Sequence, residues 1–408
     1  MPRSPAGARP AALAFIFVTV ALDMLALGVI VPVLPKLVLQ FLGGDTAQAS
    51  RLYGLFGTAW ALMQFVFSPV LGALSDRFGR RPVILLSIFG LGLDYVVMAL
   101  APDLWWLFVG RVISGITAAS FATAGAYIAD VTPPERRAAA FGLLGGAFGL
   151  GFVLGPALGG LAGSVDPRLP FWVAAGLSGL NGLYGVFVLP ESLPPERRAR
   201  FSWRRANPLG SLALLRSHPE LLGLAAVGLL SALAHDVLPS TTVLYVDYRY
   251  GWDVRTVGWL MAAIGVCSAL VSALVVRAVV ASLGERRTLL VGLCFGALGF
   301  TVYGVAPTGV LFWLGVPLVS LWGIARPAAQ GLMTQRVGPS EQGQLQGALS
   351  SLMGISGLVG PLVFTQILAA FVGPWRGVGL PGAPFLLASG LLLLGLGVAW
   401  RVTHERTG

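Results

Sequence analysis

The sequence predicts an all-α integral membrane protein with twelve transmembrane helices in two pseudo-symmetric six-helix bundles. Three observations carry that reading. Hydrophobic residues make up 56% of the 408-residue chain and charged residues only 11%, whereas about a quarter of a soluble domain is charged. The apolar stretches are too long for core helices and suit the roughly 20 residues needed to cross a hydrocarbon layer about 30 Å thick. One long polar segment interrupts the chain near its middle and leaves six apolar stretches on either side.

In chain order the spans are read at 11–38, 51–73, 82–101, 104–129, 138–163, 169–189, 219–245, 254–280, 288–306, 309–335, 343–372 and 382–401. The first is too long for the apolar core of a cleavable signal, and no small-residue cleavage site follows a short core. The loops set the orientation. Arg3 and Arg9 precede the first span; Arg77, Arg80 and Arg81 follow the second; Arg136 and Arg137 follow the fourth. Arg286 and Arg287 follow the eighth, Arg336 the tenth, and Arg401 and Arg406 lie at the end. The opposite loops hold little more than Arg168 and Arg249. Positive charge gathers on the cytoplasmic side, so both termini and the central segment are predicted to be cytoplasmic, which needs an even number of spans. The central segment, 190–218, contains Pro194, Pro195 and Pro208 and is rich in arginine. It reads as a basic linker on the cytoplasmic leaflet, where anionic lipids attract it. It divides the chain into an N-terminal bundle, 1–189, and a C-terminal bundle, 219–408. A weak repeat agrees: the loop from Leu74 to Arg81 has a counterpart from Leu283 to Arg287, and Gly155-Pro156 has one in Gly360-Pro361.

Composition excludes several functions. The net charge is +10, nearly all of it arginine, with Lys36 the single lysine. These arginines sit in short loops between apolar spans, so no nucleic-acid partner is expected. Cys267 and Cys294 lie in apolar stretches and read as packing residues without a disulfide framework. A Walker A loop needs a Gly-Lys pair, and Lys36 follows Pro35. There is no HExxH. The GxGxxG match at 377–382 lies in an external loop with no preceding strand, as expected by chance among 55 glycines. Three histidines and two cysteines argue against a His/Cys metal site. The chain reads as a non-enzyme without a cofactor.

Three local patterns point further. The first runs from Gly72 to Pro82, where Gly72 and Gly79 would permit a tight turn and close backbone approach. Within it Asp76 lies among Arg77, Arg80 and Arg81 and can pair with them or cap a helix. The second is the series Gly142, Gly151, Gly155-Pro156, Gly159 and Gly160, a small-residue face that lets helices touch, with a proline that bends the helix. The third is a set of ionisable residues inside the spans: Asp23, Asp94, Arg111, His235, Asp236, Arg277 and Arg326. Such residues are expensive in lipid and are functional candidates by default. Arg277 reads as snorkelling to the interface. Arg111 with Asp94 reads equally as a functional pair or as an internal ion pair that fixes helix register.

On these residues the chain resembles the major facilitator superfamily, specifically its twelve-span drug:proton antiporters. The 72–82 segment is similar to that superfamily's signature between spans 2 and 3. The glycines from Gly142 to Gly160 are similar to the antiporter signature, and Arg111, Ser114 and Gly115 to the span-4 arginine motif. Within the superfamily the likeness is to tetracycline efflux proteins, carried by Leu22-Asp23, Pro32 to Pro35, Ala61 to Gln64, Ser75 to Pro82, Leu93 to Tyr95, Gly110-Arg111, Ser114 to Thr117 and Gly149 to Gly151. The resemblance implies the major facilitator fold, with Asp23, Asp94 and Arg111 serving proton coupling. It implies gating by Asp76 and Arg80, with Asp130 pairing to that loop. Two positions depart from the family. Its essential span-9 aspartate aligns with Gly296, and its span-8 histidine with Ser268. Conversely, His235, Asp236 and Arg326 fall where those pumps are uncharged, and Asp236 is expected to stand in for the missing carboxylate.

The expected function is export of drug-like small molecules in exchange for protons, the proton being the coupling ion. The chain is expected to act as a monomer in a bacterial inner membrane. Gln64, Phe121, Tyr127 and Gln330, with His235 and Arg326, are candidate substrate contacts; helix packing accounts equally well for the first four. An importer is disfavoured by the antiporter-like glycines. A membrane enzyme would need carboxylates or histidines clustered at one membrane face.

Overall fold

A computed structural model describes residues 8–118, 120–199, 214–215, 218–338 and 341–404. The expected linker therefore lies largely outside the described residues. Fifteen α-helices account for nearly all the rest. They are α1 (Ala8–Ile30), α2 (Leu34–Phe41), α3 (Thr46–Phe78), α4 (Arg80–Leu100), α5 (Leu104–Thr117), α6 (Ser120–Val131), α7 (Pro134–Val165) and α8 (Leu169–Val188). After residue 218 come α9 (Pro219–Tyr250), α10 (Val254–Leu270), α11 (Val276–Val305), α12 (Gly309–Leu321), α13 (Ala325–Thr334), α14 (Gln342–Val372) and α15 (Ala383–His404).

Among the described residues ten helices are long and apolar enough to cross a membrane. One of them, Val254–Val305, runs for 52 residues. It breaks at Gly284, whose φ of 74° is left-handed, so it holds the predicted spans 8 and 9. Helices α5 and α6 together fill the predicted span 4. All twelve predicted spans thus fall on helix. Local chemistry starts and stops these helices. Asp103 caps α5 by accepting from the backbone N–H groups of Trp105 and Trp106 at 3.0 and 3.2 Å. Arg168 donates to the carbonyls of Ala99 and Ala101 at the end of α4.

By contacts the chain forms two units: residues 1–37, 59–207 and 254–262 make the first, and 38–58, 208–253 and 263–408 the second. In the first, α1 lies against α7 with their backbones touching. A Cβ placed on Gly151 would stand 2.5 Å from Met24 Cβ, and one on Gly155 2.6 Å from Gly28 Cα. Gly159 faces the Val29 carbonyl in the same way, and a Cβ on Gly160 would come within 2.9 Å of Gly258 Cα. Gly142 differs from the rest of its series, because a Cβ there meets nothing within 4 Å. Gly72 corrects the reading in the same sense: it lies inside α3 facing open space. Neither needs glycine for a close approach. Beside the α1–α7 contact, Ile16, Val20, Ile84, Ile88, Ile128 and Leu144 form an apolar core.

The second unit is held by aromatic rings. Tyr245, Phe300, Tyr303, Phe312 and Phe385 are fully buried. The Tyr303 and Phe312 rings stack at 4.0 Å, and the Tyr245 hydroxyl donates to the Tyr303 carbonyl at 3.2 Å. The outward surface is apolar: Phe187 is 82% and Val310 73% exposed. That is tolerable against lipid and costly against water. Cys294 belongs to this exposed surface and not to the packing expected of it.

The glycine contacts separate two substitutions that look alike in sequence. Gly155→Ala forces backbone apart and is expected to cost about 1–3 kcal/mol. Gly142→Ala is expected to be neutral or to gain up to about 1 kcal/mol of helix propensity. Thermal unfolding in detergent checks both; equal effects would mean that the α1–α7 contact does not set stability.

Candidate functional site

Among the described residues, the candidate site residues with charge gather at three places, two in the first unit and one in the second. The deepest set spans α1, α4 and α5. Asp94 is completely buried, Asp23 is 3% exposed and Arg111 is 9% exposed. Nη2 of Arg111 lies 3.3 Å from Asp94 Oδ2 and 3.5 Å from Ser114 Oγ. Tyr95, enclosed beside them, interacts electrostatically with Asp23, Asp94 and Arg111 together. Gly110 keeps this set compact, because a Cβ there would press within 2.7 Å of Asp94 Oδ1. Three of the predicted coupling residues are thereby brought together.

The second set is at the turn between α3 and α4. Gly79 makes the turn with φ of 110°, and a side chain there would strike the Glu191 carboxylate. Arg80 reaches three partners: Asp76, Asp130 with its Nε at 3.0 Å, and Ser75 with Nη1 at 2.7 Å. Glu191 accepts from the Arg80 and Arg81 backbone N–H groups at 2.9 and 3.3 Å, which matches a carboxylate to the positive end of α4. Ser192 adds a hydrogen bond to Asp130 at 3.1 Å. Glu191 and Ser192 escaped the sequence reading, since they lie 110 or more positions from the turn with no local pattern linking them to it. Arg77 does not join Asp76: its guanidinium sits over the Phe78 ring at 5.0 Å.

The third set lines a cavity of about 350 Å³ in the second unit. His235 and Asp236 enter from α9, Trp322 from the 3-10 turn Trp322–Ile324, Arg326 and Gln330 from α13, and Ser356 from α14. The Asp236 carboxylate accepts from Ser356 Oγ and rests in the notch left by Gly360, where any side chain would collide with it. The His235 and Trp322 rings lie 6.1 Å apart. Gly296 is sealed off: a Cβ there would stand 2.6 Å from Leu392 and 2.7 Å from Trp322. No aspartate fits at that position without displacing the tryptophan.

The other candidates scatter. Gln64 donates to the Ala118 carbonyl at 3.4 Å. Tyr127 corrects its assignment as a substrate contact: it is fully buried in the apolar core, with its hydroxyl on the Pro190 carbonyl at 3.1 Å. The side chain of Phe121 lies outside the described ones.

The Arg111–Asp94 pair makes a separable prediction. Removing one partner leaves a buried charge unmatched, so Arg111→Gln is expected to destabilise by about 3–5 kcal/mol. Arg111→Gln combined with Asp94→Asn should cost clearly less than the two single changes added together. Additive losses in denaturation of the purified protein would show that the two groups are not coupled.

Comparison with known proteins agrees with this architecture. The family described as Major Facilitator Superfamily matches residues 16–361 and 224–407. The class C tetracycline resistance protein of Escherichia coli is 40% identical over 370 residues, covering 90% of this chain and 92% of that protein. The class G protein of Vibrio anguillarum is 38% identical over 361 residues, covering 88% and 90%. Among solved structures, the human organic anion transporter MFSD10 (TETRAN) superposes with a TM-score of 0.71 at 26% identity, covering 97% of this chain and 100% of that one. The chain belongs to the Major Facilitator Superfamily and, within it, to the family of the tetracycline resistance proteins.

Proposed function

We propose that the protein is a proton-coupled exporter of drug-like small molecules, tetracyclines among them, working by alternating access in a bacterial cytoplasmic membrane with both termini inside. The observation that carries the coupling is the enclosure of Asp23 and Asp94 within spanning helices, beside Arg111. A carboxylate withdrawn from water is costly when charged and unmatched. It therefore takes up a proton readily, and Asp23 and Asp94 bind the substrate or a proton but not both. Asp236 supplies a third carboxylate, in the second unit, oriented by Ser356 and accommodated by Gly360. The Asp76–Arg80–Asp130 set, capped by Glu191, serves as the latch on the cytoplasmic side. Its ion pairs join three helices, so breaking them frees those helices to move.

The driving force suffices. A potential of about 100 mV supplies about 2.3 kcal/mol per charge, and one pH unit about 1.4 kcal/mol. One inward proton can then sustain a gradient of several hundred-fold for a neutral substrate, at about 1.4 kcal/mol per factor of ten.

Inverted membrane vesicles acidified by respiration and followed with a pH-sensitive dye test the reading. Adding tetracycline, or another drug from a panel, should release protons from vesicles with the native chain and not from those with Asp23→Asn. Asp236→Asn should abolish release while the protein still elutes as a folded species in detergent. Full release by Asp236→Asn would remove that residue from the coupling path. Absence of release with every compound, in folded native protein, would refute proton exchange for that panel.

A further inference from the structure

We infer that the cavity of the second unit recognises an acidic group, and that Arg326 is the residue that binds it. The ligand class is an amphipathic aromatic organic anion, its carboxylate, enolate or phenolate on the Arg326 guanidinium. The inference rests on the export reading only in taking this cavity as a place where a transported molecule binds.

An arginine remains protonated in proteins and offers five N–H donors in a planar fork. Inside a membrane protein such a charge is expensive unless an anion or a ring of acceptors meets it. The two arginines buried among the described residues obey this rule: Arg111 has Asp94, and Arg80 has Asp76 and Asp130. Arg326, exposed on the cavity wall, has no such partner among the described residues. Its described hydrogen bond is from Nη2 to the Met353 thioether at 3.5 Å, a weak acceptor. No carboxylate among the described residues lies within ion-pair distance of it. Asp236 lines the same cavity, yet its carboxylate is turned to Ser356 and the Gly360 notch. The arginine side is thus left open to the cavity with its fork uncommitted.

The remaining walls describe the rest of the ligand. Leu289, Met333, Leu349 and Met353 are apolar, and Trp322 presents a ring beside His235. Methionines adapt to varied shapes, and the indole offers a flat face for stacking. The volume of about 350 Å³ is within the range for drug-sized molecules. A bidentate Arg–carboxylate contact fixes the acidic end while the apolar walls accept the body.

The test is equilibrium binding to the purified full-length chain in detergent, with no gradient imposed, so the outcome is independent of proton exchange. The probes are 2-naphthoate and its neutral isostere 2-naphthamide. The native chain should bind the acid at least tenfold more tightly than the amide. Arg326→Gln should weaken acid binding by about ten- to a hundredfold, the loss of one charged hydrogen-bonded contact, and bring it level with the amide. Arg326→Lys should restore part of the preference, and Arg376→Gln, an exposed loop change of equal charge, should leave it intact. Equal binding of acid and amide by the native chain, no binding of the acid at millimolar concentration, or an unchanged preference in Arg326→Gln overturns the inference. Gel filtration establishes folding, and if Arg326→Gln aggregates, the acid–amide comparison on the native chain decides.

Discussion

A charge inside the hydrocarbon layer has no water to solvate it, and every charged side chain in the spans must be matched by protein or by a ligand. The described structure is arranged around that constraint. Arg111 and Asp94 meet across α4 and α5. Asp236 finds the Ser356 hydroxyl across α9 and α14. Small residues make each meeting geometrically possible. Gly110 leaves room for Asp94, and Gly360 leaves room for Asp236. Glycines in this chain thus do more than let helices touch; they admit carboxylates into the packing.

Close contact has a second use in the first unit. Lipid tails are as apolar as leucine, so helices gain little from burying apolar surface against each other. Association must come from dense packing and polar contacts. Gly28 against Gly155, and Gly151 against Met24, bring the α1 and α7 backbones together. Asp23 lies on α1 one residue before Met24, so the same contact that joins the helices also sets the depth of a buried carboxylate. The second unit reaches comparable density by another route, a stack of buried tyrosines and phenylalanines with hydroxyls donating to backbone carbonyls.

The two units treat their charges differently. In the first, Arg111 pairs with Asp94, and the turn at Gly79 ties its ion pairs to the capped start of α4. In the second, acid and base line one cavity without pairing. The position that carries an aspartate in the resembling pumps is here Gly296, pressed against Trp322 and Leu392. A tryptophan fills the space that a carboxylate would need there, and the carboxylate that lines this unit's cavity comes from α9.

The amino-acid sequence alone determined the class, the number and place of the spans, and the identity of the ionisable residues within them. Those features follow from how far apolar runs extend and from the cost of charge in lipid, both properties of the chain read locally. It also marked Gly79, Arg80 and Asp76 as a group, because a turn glycine and its flanking charges leave a short-range pattern; Asp130, 50 positions from Arg80, came only from the family resemblance. The tertiary structure alone decided which partner each charge meets. Glu191 reaches Arg80 from 111 positions away, and Ser356 reaches Asp236 from 120. No periodicity encodes such contacts, since they depend on where separate helices are brought by packing. The same holds for the glycines. Gly142 and Gly155 are equivalent as letters in a motif, but only one of them has a neighbouring backbone within reach. Tyr127 shows it as well: its ring is polar at one end and apolar along its body, and only the surrounding core shows that it faces inward to Pro190 and not to an open cavity.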